Sequence, residues 1–346
     1  MNTKDLESAL HALPYPGLSR TLGELKLISE VKVTDNHAKV ELLTVSDESY
    51  LTVKTAIETE FASQFKTLDI TKKSTAPKDT NYGNSAAPNN RAPYAANVIA
   101  VTSGKGGVGK STVSVNLAIA LAQQGYKVGI LDADVYGPNV PRLTNTDLEK
   151  IRWNDDNQII PCENYGIKIM SVALTTPTSD TPLVWRSSVA VSALIQFLED
   201  VAWGELDFMV IDMPPGTGDI QLTMAQELPI TAGIIVTTPQ LVASDDVSRA
   251  IRMFQDIHVP IAGLVENMSY FIAPDTGTRY DIFGSGGGER LSKRYNVPLL
   301  GQIPLNMDIR EGSDNGEPPV VLGSEMLKSY YKEIVKAMLE SVKFRF

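Results

Sequence analysis

Val98-Ile99-Ala100-Val101-Thr102-Ser103-Gly104-Lys105-Gly106-Gly107-Val108-Gly109-Lys110-Ser111-Thr112 is the stretch that decides the fold. The apolar run at 98–101 has strand character, a glycine-rich turn follows, and residues 113–124 carry a helical pattern. Strand, turn and helix in that order build a loop that wraps phosphate. The glycines let backbone N–H groups turn inward around an anion, because no Cβ blocks the approach. The helix start adds its positive end at the same point. In such a loop Lys110 reaches the β- and γ-phosphates and the Ser111 hydroxyl ligates Mg²⁺. Gly104, Lys105, Gly106, Gly107, Val108, Gly109, Lys110, Ser111 and Thr112 are therefore the expected nucleotide-binding residues.

Two further strand ends offer carboxylates. Val128-Gly129-Ile130-Leu131 ends in Asp132-Ala133-Asp134, and Phe208-Met209-Val210-Ile211 ends in Asp212. Carboxylates beside a triphosphate manage Mg²⁺ and orient a water; the loose transition state asks for little more. Ser111 and Asp212 are the expected metal residues, with Asp132 behind them. Pro214-Pro215-Gly216-Thr217-Gly218-Asp219 follows directly, stiff at its prolines and free at its glycines, as a segment that responds to phosphate loss would be.

The wider chain fits this frame. After residue 97, apolar runs at 98–101, 128–131, 167–172, 208–211, 234–236, 261–265 and 299–303 alternate with helical stretches. That alternation predicts an α/β fold with a mostly parallel sheet, and ligands on such sheets bind beyond the carboxyl ends of the strands. A last helix is expected over about 324–342, with Leu327, Tyr331, Ile334, Met338 and Val342 on one stripe. Residues 71–96, rich in Ser, Thr, Asn, Ala and Pro, read as a flexible linker. Before it, residues 1–70 pattern as a small α+β domain: a helix near 6–13, two strands around a turn at Asp35-Asn36-His37, and a helix over about 47–65.

Composition narrows the function classes. Lys and Arg number 31 and Asp and Glu 41, a formal net charge of −10 over 346 residues. An acidic chain without a basic run is unsuited to general nucleic-acid binding or to anionic membranes. No run reaches the ~18 apolar residues of a membrane span and the start is polar, so the expected compartment is the cytoplasm. Cys162 is the single cysteine, which excludes an intrachain disulfide.

The loop's second lysine, Lys105, sits where the ordinary pattern leaves the position free. Gly104 to Thr112 resembles the deviant Walker A loop of the MinD-like ATPases. That resemblance implies that Lys105 reaches across a homodimer interface to the partner's nucleotide, and that Asp134 positions the attacking water. It also implies that Asn267 hydrogen-bonds adenine, although an Asn at a strand end is also a common turn former. The catalytic set is then Lys105, Lys110 and Asp134.

Several segments carry a narrower resemblance: 131–141 (Leu-Asp-Ala-Asp-Val-Tyr-Gly-Pro-Asn-Val-Pro), Trp185-Arg186, 212–219, Glu266-Asn267-Met268-Ser269-Tyr270, and 281–288. Together they are similar to the Mrp/ApbC family of iron–sulfur cluster carrier ATPases, densely over 97–323, with a MIP18-like domain in front. The resemblance implies ATP and Mg²⁺ as cofactors, a homodimer, a [4Fe–4S] cluster as cargo, and apoproteins or assembly proteins as partners. One departure bears on the cargo. Ala273 and Thr276 stand where cluster-binding members carry a Cys-Pro-x-Cys pair, which places this chain in the subgroup lacking it. A [4Fe–4S] cluster normally takes four thiolates. The alternatives are an ATP-switched adaptor without a cluster, and a positioning ATPase of the MinD or ParA kind.

Overall fold

The computed structural model describes residues 2–16, 21–23, 27–34, 36–42, 47–72, 90–175 and 187–345. The chain forms two compact units, one up to Ser85 and one from Ala86 onward. Trp185 and Arg186 lie outside the described residues, as does most of the stretch between the units.

In the first unit, α1 (Thr3–Ala12) is closed by a reciprocal cap between Asn2 and Asp5. The cap satisfies N–H groups that a helix start leaves free. Strands β1 (Ile28–Thr34) and β2 (His37–Leu42) pair antiparallel around Asn36, whose φ of 67° is the left-handed conformation an Asn tolerates in a tight turn. Helix α2 (Asp47–Phe61) ends earlier than its pattern suggested, giving way to a short 3₁₀ turn. A third strand, β3 (Thr67–Lys72), pairs parallel to β2. Two strands were expected; Thr67-Leu68-Asp69-Ile70 alternates too briefly to stand out. Leu6, Leu10, Val40, Leu42, Val53 and Ile57 form the core of this unit.

The second unit is built on an eight-stranded sheet ordered β15-β12-β11-β4-β10-β5-β9-β8. Its strands are β4 (Ala95–Ser103), β5 (Val128–Asp132), β8 (Cys162–Asn164), β9 (Ile167–Ser171), β10 (Leu206–Asp212), β11 (Ala232–Thr237), β12 (Ile261–Glu266) and β15 (Leu299–Gln302). Two small hairpins stand apart from it: β6 (Arg152–Trp153) with β7 (Ile159–Ile160), and β13 (Phe271–Ile272) with β14 (Arg279–Tyr280). All seven expected strands of the sheet form and run parallel. The eighth, β8, adds an antiparallel edge and escaped the apolar pattern because it is three residues long and two of them are polar. The central strands are buried throughout, as parallel strands covered on both faces must be.

The helices in chain order are α3 (Lys110–Gln123), α4 (Val140–Leu143), α5 (Ser187–Asp200), α6 (Asp219–Glu227), α7 (Leu241–Asp256), α8 (Gly287–Tyr295), α9 (Met307–Asn315), α10 (Pro319–Leu322) and α11 (Glu325–Ser341). Helix α11 buries Leu327, Tyr331, Ile334, Val335 and Met338. The chain after it docks on the sheet. Phe344 packs edge-on against Phe208, and Arg345 exchanges backbone hydrogen bonds with the Asn97 amide. The expected linker of 71–96 is narrower than its composition. Residues 71–72 belong to β3, while Arg91 pairs with Glu199 and Glu227, Ala92 is buried, and β4 starts at Ala95.

Among the described residues no helix is long and apolar enough to cross a membrane.

Candidate functional site

Strand order assembles the site. β4 lies between β10 and β11, and β5 follows β10, so the loops leaving these strands share one edge. In register, Asp212 stands beside Val101 on one side and Asp132 on the other. The chain leaving β4 is the glycine-rich loop, and α3 starts directly behind it at Lys110. Gly109 has φ of 81°, a left-handed conformation that glycine adopts without a Cβ clash. Here a Cβ would also collide with the Asn267 amide. Gly104 is fixed by close approach: a Cβ there would collide with the backbone of Asp246 and Val247 in α7.

A cavity of about 340 Å³ opens over this loop. Ser103, Gly106, Gly107, Gly109, Lys110, Ser111 and Thr112 line one side; Asp134, Asn139, Arg142 and Leu143 come from the β5–α4 segment, Pro215 from the segment after β10, and Ser313 and Asp314 from α9. Seven of the expected residues thus meet at one cavity: Gly106, Gly107, Gly109, Lys110, Ser111, Thr112 and Asp134.

Beneath the cavity sits a charge cluster. Lys110 Nζ is 2.8 Å from Asp212 Oδ1 and 3.7 Å from Asp134 Oδ2. Ser111 Oγ donates to Asp212 Oδ2 at 2.6 Å, and Ser114 Oγ to Oδ1 at 2.7 Å. Burial works against the Lys110 ammonium, but Asp212, with Asp134 and Asp132 beyond it, outweighs that and raises its pKa. Burial, the largest cause, pushes the Asp134 carboxyl up; Lys110 offsets part of that, and burial and the Asp212 charge together keep it raised. The same two causes, burial first, push Asp132 up to about 8. Asp212 and Asp134 share the single Lys110 ammonium, which leaves the floor short of positive charge. A hard divalent cation fits this donor set, since Ser111 Oγ and Asp212 Oδ2 are adjacent oxygens.

Other expected residues lie outside the lining. Asp132, expected near the metal, is fully buried and its oxygens are taken by protein donors: Asp134 N at 3.2 Å, Val140 N at 3.1 Å and Ser171 Oγ at 3.0 Å. It shapes the β5–α4 segment and thereby aims Asp134. Asn267, expected on adenine, donates from Nδ2 to the Val108 carbonyl at 2.9 Å and braces the phosphate loop. The reason is topological: β12 is separated from β4 by β11, and Asn267 N is bound back to Thr237 O at 2.8 Å. Lys105 points away from the cavity, its Nζ donating to Gln240 Oε1 at 2.8 Å. Gly104 and Val108 are framework of the loop.

Arg142, Ser313 and Asp314 had no signal as site residues. Arg142 follows the Pro-Asn-Val-Pro run by one residue, and Ser313 and Asp314 lie in a helix some 200 positions from the loop, so only folding brings them together.

The residues expected to decide cluster binding stand on the β13–β14 hairpin. Its turn is closed by Gly277 N donating to Ala273 O at 2.8 Å, and it carries no thiol. Cys162 is buried in edge strand β8, and burial pushes its thiol pKa up. Among the described residues, no three His, Cys, Asp or Glu side chains are grouped to hold a metal by themselves.

The chain is similar to known proteins over most of its length. The iron–sulfur cluster carrier protein of Aquifex aeolicus is 47% identical over 253 residues, spanning 73% of this chain and 68% of that protein. That of Synechocystis is 42% identical over 335 residues, 93% of this chain and 92% of its own. Among solved structures, a nucleotide-binding protein from Archaeoglobus fulgidus in complex with ADP aligns at a TM-score of 0.61 and 37% identity, over 70% of this chain and 94% of that one. The cell-division ATPase MinD of Pyrococcus furiosus shares the fold at a TM-score of 0.55 and 23% identity, over 71% of this chain and 99% of its own. Residues 94–341 match the family model described as ParA, NUBPL iron-transfer P-loop NTPase, and the chain belongs to that family.

Proposed function

We propose that this protein binds and hydrolyses ATP as a homodimer and serves the delivery of iron–sulfur clusters to apoproteins in the cytoplasm. The observation that carries the reading is the placement of Lys105. It sits on the first turn of the phosphate loop, yet its ammonium rests on Gln240 outside its own chain's cavity. A lysine so placed is available to a nucleotide held by a second copy.

The chemistry follows from the cavity. Backbone N–H groups of 106–112 and the Lys110 ammonium hold the phosphates. Ser111 and Asp212 would hold Mg²⁺, which when bound neutralises charge on the phosphate oxygens. Asp134, at the cavity wall, orients the water for in-line attack, and its raised pKa suits a group that shares that water's proton. Asp132 keeps Asp134 in place. Pro215 lies close enough to register departure of the terminal phosphate, so the 214–218 segment transmits it to α6.

The named relatives are carriers, which supports the iron–sulfur role. A thiol-free β13–β14 hairpin favours a second version of it: a nucleotide-switched adaptor that brings cluster donor and apoprotein together without holding the cluster itself. Calorimetry with Mg-ATP and sedimentation with and without nucleotide test the shared core; binding heat and an ATP-driven dimer are expected. Absence of heat from well-folded protein overturns the proposal. Anaerobic reconstitution separates the versions. Bound iron and sulfide with thiolate-to-iron absorbance make the protein a carrier, and colourless protein that still assembles with ATP makes it an adaptor.

A further inference from the structure

The charge around the cavity poses a problem for an anionic ligand. Four charged side chains line it: Lys110, Asp134, Arg142 and Asp314. Lys110 is committed to Asp212 at 2.8 Å and faces Asp134 as well. Asp314 is paired with Arg310 at 3.1 Å. Lys105, the other cation of the loop, is held by Gln240. That leaves the Arg142 guanidinium, which makes no hydrogen bond or ion pair with any described residue. It is an exposed cation in the lining of the cavity.

Its position is built. Helix α4 begins at Val140, whose N–H is received by the buried Asp132 carboxylate at 3.1 Å. The end of the same short helix is tied down by Thr144, whose Oγ1 donates to Val140 O at 2.8 Å. Asp132 therefore aims two residues at once, Asp134 before the helix and Arg142 within it. A guanidinium presents paired N–H donors in a fork that matches two phosphate oxygens, and it remains charged at every working pH.

We infer that Arg142 is a polyphosphate-binding residue of this cavity, gripping the nucleotide together with the phosphate loop and offsetting the acidic floor. The inference rests on the nucleotide-binding reading above and adds the residue that closes its charge balance. It also gives the β5–α4 segment a way to sense an occupied site, since Arg142 and Asp134 ride on one anchored piece of chain.

Titration calorimetry of Arg142→Ala, Arg142→Gln and Arg142→Lys with Mg-ATP, at protein concentrations that keep the chain monomeric, tests this. Losing a charged hydrogen-bonding partner of phosphate is expected to weaken binding by roughly tenfold to a hundredfold in the Ala and Gln variants. Arg142→Lys should recover part of the loss, because it keeps the charge and loses the fork. Thermal melting without nucleotide should match wild type, since the side chain is exposed and has no partner among the described residues. Binding within twofold of wild type in both neutral variants overturns the inference while the nucleotide-binding reading stands. A wild-type chain that fails to bind sinks both.

Discussion

Replacing Gly109 by alanine, alone and together with Asn267→Ala, tests how the phosphate loop is held. The backbone at Gly109 has φ of 81°. Holding an alanine there costs about 1–2 kcal/mol. The new Cβ would occupy the place of the Asn267 amide, so the bond from Asn267 Nδ2 to the buried Val108 carbonyl must break. An unpaired buried carbonyl costs about 1–3 kcal/mol. Gly109→Ala should therefore destabilise its unit by about 2–5 kcal/mol in total. Asn267→Ala alone forfeits the same hydrogen bond and should cost about 1–3 kcal/mol. In the double variant that bond can be lost only once, and the next neighbour of the Cβ is Met268 at 3.8 Å, an ordinary contact. The costs then fall short of additivity by about 1–3 kcal/mol. Urea unfolding followed by tryptophan fluorescence measures this directly. All three tryptophans, at 153, 185 and 203, belong to the second unit, so the signal ignores the first. Additivity within about 0.5 kcal/mol would show that Asn267 and Gly109 are independent and that the amide does not brace the loop.

Other consequences are open to simpler assays. Asp134→Asn should bind Mg-ATP with nearly unchanged affinity and lose turnover by about 100-fold or more in a phosphate-release assay; equal turnover removes the residue from the chemistry. Gln240→Leu releases the Lys105 ammonium and should shift sedimentation toward dimer at lower ATP concentration, whereas Lys105→Ala should abolish the shift while keeping monomer binding. Burial raises the Cys162 thiol pKa, so less thiolate is present at neutral pH than an exposed cysteine would show. Alkylation of native protein should be slow at pH 7, quicken as pH rises, and become complete only on unfolding; rapid labelling at pH 7 would place Cys162 at the surface.

Much of this architecture was legible because it is local. Residues 98–112 specify strand, turn and helix within one short window, Asp132 and Asp212 each terminate an apolar strand, and Asp134 follows two residues after the first. What stayed hidden depends on strand order. The sequence places Asn267 at a strand end, but only the β12-β11-β4 order shows that its amide meets Val108 rather than the cavity. Asp132 and Asp134 look equivalent in the chain. They differ because the β5–α4 turn and Ser171 of the neighbouring strand deliver three donors to one of them and leave the other facing open space. Short polar segments were lost for a different reason. β8 and β3 pair at sheet edges, where backbone hydrogen bonds suffice and little apolar patterning is needed.

The phosphate loop is supported on three sides by polar side chains from neighbouring strand ends. Asp212 holds Lys110 and Ser111, Gln240 holds Lys105, and Asn267 holds Val108. Each support arrives from a different strand end: β10, β11 and β12. The first two are polar contacts whose donors, an ammonium and a hydroxyl, are wanted by phosphate and metal. The third joins the Asn267 amide N–H to the Val108 carbonyl, and neither residue lines the cavity where phosphate would sit. Ligand binding should thus loosen the first two supports and leave the third in place. The β10 and β11 loops then become the moving parts, and each leads straight into a helix, α6 and α7. The β12 end stays fixed, and so the β13–β14 hairpin that follows Asn267 remains a rigid platform while the switch beside it changes state.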